Sequence, residues 1–188
     1  METQKKIKIV WGFTGSGYLI KESIDLMKEL QEAKPVEFTV ILSTEGAAVV
    51  KWYRQWIYLA ETIKKVHIEK TPNNPFLAGP LQIGKYKMLI ICPVSANSAA
   101  KIAYGIADTL ITNCVAQTIK GGVPVYLNPS DQDNKPIETT KPNGEKLTLK
   151  IRDIEIENVE KLKKMEGIIV FSELEEIKEI ILSAIESD

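Results

Sequence analysis

One histidine and two cysteines are all that 188 residues contain of the side chains that most often hold metals. Cys92 and Cys114 cannot supply the four thiolates of an iron–sulfur cluster, and neither sits in a zinc-ligand spacing. Both are expected as buried, reduced thiols. His67, between Val66 and Ile68 in a Lys- and Glu-rich stretch, is expected at or near the surface rather than in catalysis. Charge of one sign is also lacking. The balance is 24 Lys and Arg against 25 Asp and Glu, a formal net charge of -1, which gives no electrostatic basis for binding nucleic acid. No apolar run exceeds the length of a strand, so no membrane span is expected. Met1 to Lys6 leads straight into a strand without the pattern of a signal peptide, and the expected location is cytoplasmic. Repeats and low-complexity segments are absent.

A composition of 44% hydrophobic and 26% charged residues suits one α/β domain over residues 1–188 with a sizeable core. Apolar runs alternate with segments of helical period. Lys5 to Trp11 predicts a first strand, Tyr18 to Leu30 a helix, and Val36 to Leu42 a second strand. Met88 to Cys92, continuously apolar, predicts a strand buried on both faces, ended by Pro93. One helical pattern then runs from Ala99 through Ile106 and Ala107 to Lys120. Val123 to Leu127 and Gly167 to Phe171 predict two more strands, with a short helix over Val159 to Met165 and a last helix capped by Ser172. Thr71 to Pro80, with three prolines and a glycine, reads as a loop. Asn128 to Glu145 reads as a long polar loop or lid, closing at about residue 146, and Lys150 to Ile156 as an edge strand or arm. The expected architecture is a Rossmann-like or flavodoxin-like parallel sheet with helices on both faces.

In such a sheet, ligands sit beyond the carboxyl ends of the strands where strand order reverses. Three loops leave strand ends with small polar residues and run into helix starts: Gly12 to Gly17, Ser43 to Gly46, and Pro93 to Ser98. Unpaired amides and the positive dipole end of a helix suit a phosphate there, while plain helix capping explains each loop equally well by itself. The first loop is neither of the familiar phosphate loops. Tyr18 follows Gly17 where a Walker loop needs Lys, and glycines at 12, 15 and 17 do not make G-x-G-x-x-G. Together the loops describe a site for a phosphate-bearing cofactor of nucleotide type. Trp52, Tyr53, Trp56 and Tyr58 crowd one stretch, which suggests a subunit interface or one dense layer of core.

Pro93-Val94-Ser95-Ala96-Asn97-Ser98, with the helical run Ala99 to Leu110 behind it, closely resembles the P-A-S-A-N-T motif of the homo-oligomeric flavin-containing cysteine decarboxylases. The resemblance implies FMN as cofactor. It assigns cofactor contacts to Thr14, Gly15, Ser16, Gly17, Ser43, Thr44, Pro93, Ser95, Ala96, Asn97 and Ser98. It also implies a homo-oligomer built on trimers. One departure matters: the family's catalytic histidine stands fourteen residues before the motif's proline, and here that position is Gly79. The family's methionine-containing clamp after the fourth strand is missing as well, where Asn128-Pro129-Ser130-Asp131-Gln132 stands instead. Decarboxylation is therefore not expected.

Gly79-Pro80-Leu81-Gln82, the run Lys101 to Gln117, and Val123 to Gln132 look like the archaeoflavoprotein and dihydromethanopterin reductase branch of the same superfamily. That resemblance implies an FMN electron-transfer flavoprotein, reduced by ferredoxin or another iron–sulfur or flavin redox protein and serving a protein acceptor. The alternatives are an FMN-dependent reductase of a small acceptor such as dihydromethanopterin, and a non-redox binding protein on the same fold. In the redox readings the isoalloxazine carries the chemistry, and the protein binds it, tunes it and controls access.

Overall fold

The computed structural model describes residues 6–133, 135–141 and 143–187. The segment Met1 to Lys5, expected to lead into the first strand, lies outside the described residues, as do Asn134 and Pro142 of the long loop. In chain order the elements are β1 (Ile7–Phe13), α1 (Ile20–Ala33), β2 (Val36–Leu42), α2 (Thr44–Trp52), α3 (Trp56–Thr62), β3 (Lys65–Ile68), α4 (Pro75–Gln82) and β4 (Met88–Val94). They continue with α5 (Ala96–Ala103), α6 (Leu110–Lys120), β5 (Val125–Pro129), β6 (Ile137–Thr140), β7 (Lys146–Leu149), α7 (Asp153–Leu162), β8 (Ile168–Val170) and α8 (Leu174–Glu186).

The main sheet is parallel, six-stranded and ordered β3-β2-β1-β4-β5-β8. β1 lies at its middle, in register with β2 from Ile7 opposite Val36 to Phe13 opposite Leu42, and with β4 from Ile9 opposite Met88 to Gly12 opposite Ile91. Chain order runs outward from β1 in one direction to β3, then jumps to β4 on its other side, so strand order reverses between β1 and β4. The central strands are buried on both faces, which is why they are apolar without alternation. Trp11, Phe13, Phe38 and Val40 pack under α1, α2, α3 and α8. Val10, Ile41, Leu89 and Ile91 pack under α4, α5, α6 and α7. The Rossmann-like parallel sheet with helices on both faces is therefore present. No helix among the described residues is long and apolar enough to cross a membrane.

Several local expectations are corrected. Pro93 does not end its strand: β4 runs on to Val94, because the position without an amide proton falls in the register shift between Ile91 and Val94, where no ladder bond is demanded of it. The long helix splits at Tyr104 to Thr109. Gly105 takes a positive φ of 71°, and Thr109 caps a new helix by accepting from the Thr112 amide at 3.2 Å. Thr71 to Pro80 is not all loop, since Asn74 caps α4 through the Phe76 amide at 3.1 Å and Pro75 occupies a first-turn position that needs no donor. β3 is an edge strand that exposure had hidden, because Lys65, His67 and Ile68 face solvent. The long polar loop or lid at 128–146 is instead largely an antiparallel hairpin, β6 paired with β7, closed by the Lys141 amide donating to the Glu145 carbonyl at 2.8 Å. Lys150 to Ile156 enters α7 rather than forming a strand, because Glu155 accepts from the Arg152 amide at 2.8 Å and starts the helix there. The last helix begins one residue later than expected, with Glu176 accepting from the amides of Ser172 and Glu173. Of the four crowded aromatics, Tyr53, Trp56 and Tyr58 pack on the α1-side core, while Trp52 stays 64% exposed.

Gly121 ends α6 with an ordinary φ of -83°, so an alanine there would suit the backbone. A Cβ would nevertheless collide with the Gln82 carbonyl where α6 meets the end of α4. Gly121→Ala is expected to lower stability by roughly 1–3 kcal/mol, the usual range for overpacking. Chemical denaturation should show a lower midpoint at unchanged slope.

Candidate functional site

The crevice at the strand-order reversal is built by three loops that bind one another before they bind anything else. Thr14, one residue beyond β1 and 1% exposed, donates its hydroxyl to the Pro93 carbonyl at 2.9 Å and accepts from the Ser95 amide at 2.7 Å. Its own amide reaches the same Pro93 carbonyl at 3.3 Å. One step below, the Trp11 indole donates to the Cys92 carbonyl at 3.0 Å. Loops one and three are thereby fixed to each other across the seam between β1 and β4.

Loop two joins through the Phe13 carbonyl, which accepts from the Ser43 amide at 3.1 Å. The Ser43 hydroxyl caps α2 by accepting from the Gly46 amide at 2.9 Å. Gly46 has to be glycine here, since a Cβ would strike the Phe13 carbonyl. Gly15 lies against Glu45 in the first turn of α2, and Gly17 against the ring of Tyr53.

The predicted contact residues divide by what they already hold. Thr14, Pro93 and Ser43 are occupied in positioning the loops, and Thr14 is buried beneath them. Ser95 caps α5, accepting from the Ser98 amide at 3.4 Å and lying 3.2 Å from the Ser98 hydroxyl. Ser16 accepts from the Tyr18 amide at 3.3 Å. Thr44 departs from the expectation in one respect. Its amide, at the start of α2, already donates to Glu69 Oε2 at 3.1 Å. The amides of Gly15, Gly17, Ala96 and Asn97 have no partner among the described residues, and the Asn97 side chain is exposed and unpaired. Two of these four donors, the amides of Ala96 and Asn97, stand at a helix start, where unpaired amides and the helix dipole suit an anion.

Glu69 escaped the sequence reading. Just past β3, it holds Thr44 with one carboxylate oxygen and the Leu110 amide, at the start of α6, with the other at 3.0 Å. It fills with a fixed internal charge the place that a ligand anion takes at other helix starts. Its only sequence signal was the unrecognised strand before it. Asn128 and Gln132 belong to the stretch that stands in place of the decarboxylases' clamp. Asn128 Nδ2 donates to the Phe171 and Ser172 carbonyls, each at 3.0 Å, and Gln132 Nε2 to Phe171 at 2.8 Å. These two amides tie the carboxyl ends of β5 and β8 together.

Acid/base and nucleophilic groups are scarce around the crevice. Gly79 sits in α4 with open space where a side chain would stand, and His67 is exposed on the edge strand β3. Cys92, under the crevice, accepts from the Ser23 hydroxyl at 3.5 Å. Burial pushes its thiol, and that of Cys114, up to about 12. Neither thiol is poised as a nucleophile.

A family model described as Flavoprotein matches residues 1–187. An uncharacterised protein of Methanocaldococcus jannaschii is 46% identical over 180 residues, covering 96% of this chain and 97% of that protein. The same organism's dihydromethanopterin reductase (acceptor) is 37% identical over 132 residues, covering 66% of this chain. The chain spans only 54% of that reductase's length. Among solved structures, Burkholderia xenovorans DmrB in complex with FMN, described as a cubic protein cage for redox transfer, superposes with a TM-score of 0.80. It is 29% identical, and the match covers 100% of this chain and 98% of that one.

Two outcomes are expected from this geometry. Thr14→Val keeps the shape and removes one donor and one acceptor, leaving the Ser95 amide without its partner. It should cost about 1–3 kcal/mol and weaken binding of any ligand held by both loops, as read by denaturation and ligand titration. Both cysteines should resist iodoacetamide in the native protein at pH 8 and alkylate fully in denaturant, as counted by mass spectrometry.

Proposed function

The chain belongs to the Flavoprotein family, and from that premise we propose that it binds FMN and works as a reductase passing electrons to a small acceptor. What supports the reading is the strand-order reversal, where loops one and three leave the sheet with unpaired amides, in a fold that holds FMN in DmrB. Gly15, Ser16, Gly17, Ala96, Asn97 and Ser98 hold the cofactor, with its phosphate on the free amides. Thr14, Ser43, Pro93 and Ser95 position those contacts, and Thr44 borders the site with its amide given to Glu69. FMN supplies the two-electron chemistry. The chain's part is to bind, orient and shield it.

The small-acceptor reading is favoured over delivery to a protein acceptor by the dihydromethanopterin reductase, whose name states its substrate. The donor in this reading is ferredoxin or another iron–sulfur or flavin redox protein. Decarboxylation has no support, since Gly79 brings no acid or base and His67 lies on the sheet's edge. Assembly into a homo-oligomer belongs to the proposal, in keeping with the cage formed by DmrB. Trp52, and Phe76 at 86% exposure, are apolar groups that such an assembly would cover.

The purified protein should be yellow or take up FMN stoichiometrically, and Asn97→Asp should weaken that uptake by placing a negative charge beside the phosphate amides. Anaerobically reduced protein should be reoxidised by dihydromethanopterin. A colourless protein that takes up no FMN would return the chain to the non-redox reading. Reoxidation by a protein acceptor alone would restore the electron-carrier reading.

A further inference from the structure

We propose that Glu69 sets the selectivity of the cofactor site, admitting a mononucleotide and rejecting a dinucleotide, because its carboxylate stands where a second phosphate would be bound. The inference rests on the FMN reading above and adds to it the residue that excludes FAD.

Topology leaves one path for a second phosphate. In a doubly wound sheet a dinucleotide lies across the strand-order reversal, with one half to each side. The unpaired amides of Ala96 and Asn97 stand on the β4 side of that reversal, and those of Gly15 and Gly17 follow β1. Toward β5 no helix start comes next, because that strand leads into the hairpin β6–β7. Toward β2 the next helix start is that of α2, which begins at Thr44. Its first amides are the donors that a second phosphate would reach.

Those donors are already spent. Glu69 Oε2 accepts from the Thr44 amide at 3.1 Å, and Oε1 from the Leu110 amide at the start of α6 at 3.0 Å. The Ser43 hydroxyl takes the Gly46 amide at 2.9 Å. The amide between these two belongs to Glu45, whose own side chain lies against Gly15. A phosphate arriving here therefore meets carboxylates in place of free amides, and a carboxylate has no proton to donate to it.

The charge is fixed in position. Glu69 is half-buried, and its own amide donates to the Leu42 carbonyl at 2.9 Å, at the end of β2. Bonds to β2, α2 and α6 thus hold one side chain. It forms no ion pair with Lys, Arg or His among the described residues, so its charge is set against two helix starts rather than against a cation. Nor is it the acidic group that holds a ribose in dinucleotide sites. Such a group turns its oxygens to the ligand, whereas both oxygens of Glu69 face backbone amides. What remains for it is rejection, by placing like charge on the path of the wrong ligand.

The test dialyses the purified protein to equilibrium against mixtures of FMN and FAD and identifies the bound flavin by chromatography after denaturation. Wild-type protein should hold FAD about a hundredfold more weakly than FMN. Glu69→Gln keeps the size of the side chain and removes its charge. It should leave FMN binding within about twofold and tighten FAD about tenfold. The ratio of the two flavins is the readout, since a merely loosened loop would weaken both alike. Wild-type protein that takes FAD as readily as FMN, or a ratio unmoved by Glu69→Gln, would overturn the inference. If the variant fails to fold, the wild-type protein carries the test, because added salt screens the repulsion and should narrow the ratio; a ratio indifferent to salt would then overturn it. A protein that binds neither flavin would overturn the cofactor reading itself.

Discussion

The hydroxyl of Thr14 is the contact on which the rest of the site depends. A parallel sheet whose strand order reverses between β1 and β4 opens a gap there, because the chain leaves the two strands for opposite faces. Something has to hold the departing loops at a fixed separation. Thr14 does so with both of its hydrogen-bonding capacities, donating to Pro93 and accepting from Ser95 while almost fully buried. Its partners suit the task. The Pro93 carbonyl takes both the amide and the hydroxyl of Thr14. With the Ser95 amide used in this way, the next two amides, Ala96 and Asn97, face the crevice as the first free donors of α5. A structural bond thus decides which atoms remain for the ligand.

The same logic explains Glu69. Three helices begin near the crevice, and unpaired amides at all three would spread positive potential over a wide area. Glu69 takes the first amide of α2 and the first amide of α6 with one carboxylate, placing a negative charge at both starts. The break in the helical pattern at Gly105 is needed for this arrangement, because a helix running unbroken from Ala96 to Lys120 would have no second start for Glu69 to hold.

The parallel sheet, its helices on both faces and all three crevice loops were legible from residue pattern, because buried parallel strands are apolar runs and small polar residues follow them. What escaped had local signals that pointed elsewhere. β3 has mostly exposed side chains and lies at the edge, so its four residues carry no apolar run. α4 contains two prolines, yet Pro75 stands in the first turn and the chain after Pro80 is held by the Pro80 carbonyl accepting from Lys85. The strands of the hairpin β6–β7, I-E-T-T and K-L-T-L, are only four residues long, too short for their alternation to stand out from the polar residues around them. Glu69 and Asn128 work through partners 25 to 44 residues away in the chain, a distance at which spacing carries no information.

Where the resemblance to the decarboxylases fails is as informative as where it holds. An acid/base enzyme needs a titratable side chain beside the cofactor, and Gly79 leaves open space where one would stand. The two thiols are held too high to ionise, and one of them is further occupied by Ser23. A site poor in proton-transfer groups is poorly suited to breaking carbon–carbon bonds but adequate for moving electrons through a cofactor that brings its own chemistry. Next to the crevice the chain has placed hydroxyls, amides and carboxylates on a frame fixed by Asn128 and Gln132. The position of Gly79 thus holds no group that could move a proton, and what the side-chain amides at the ends of β5 and β8 do is fix the backbone there, through the carbonyls of Phe171 and Ser172.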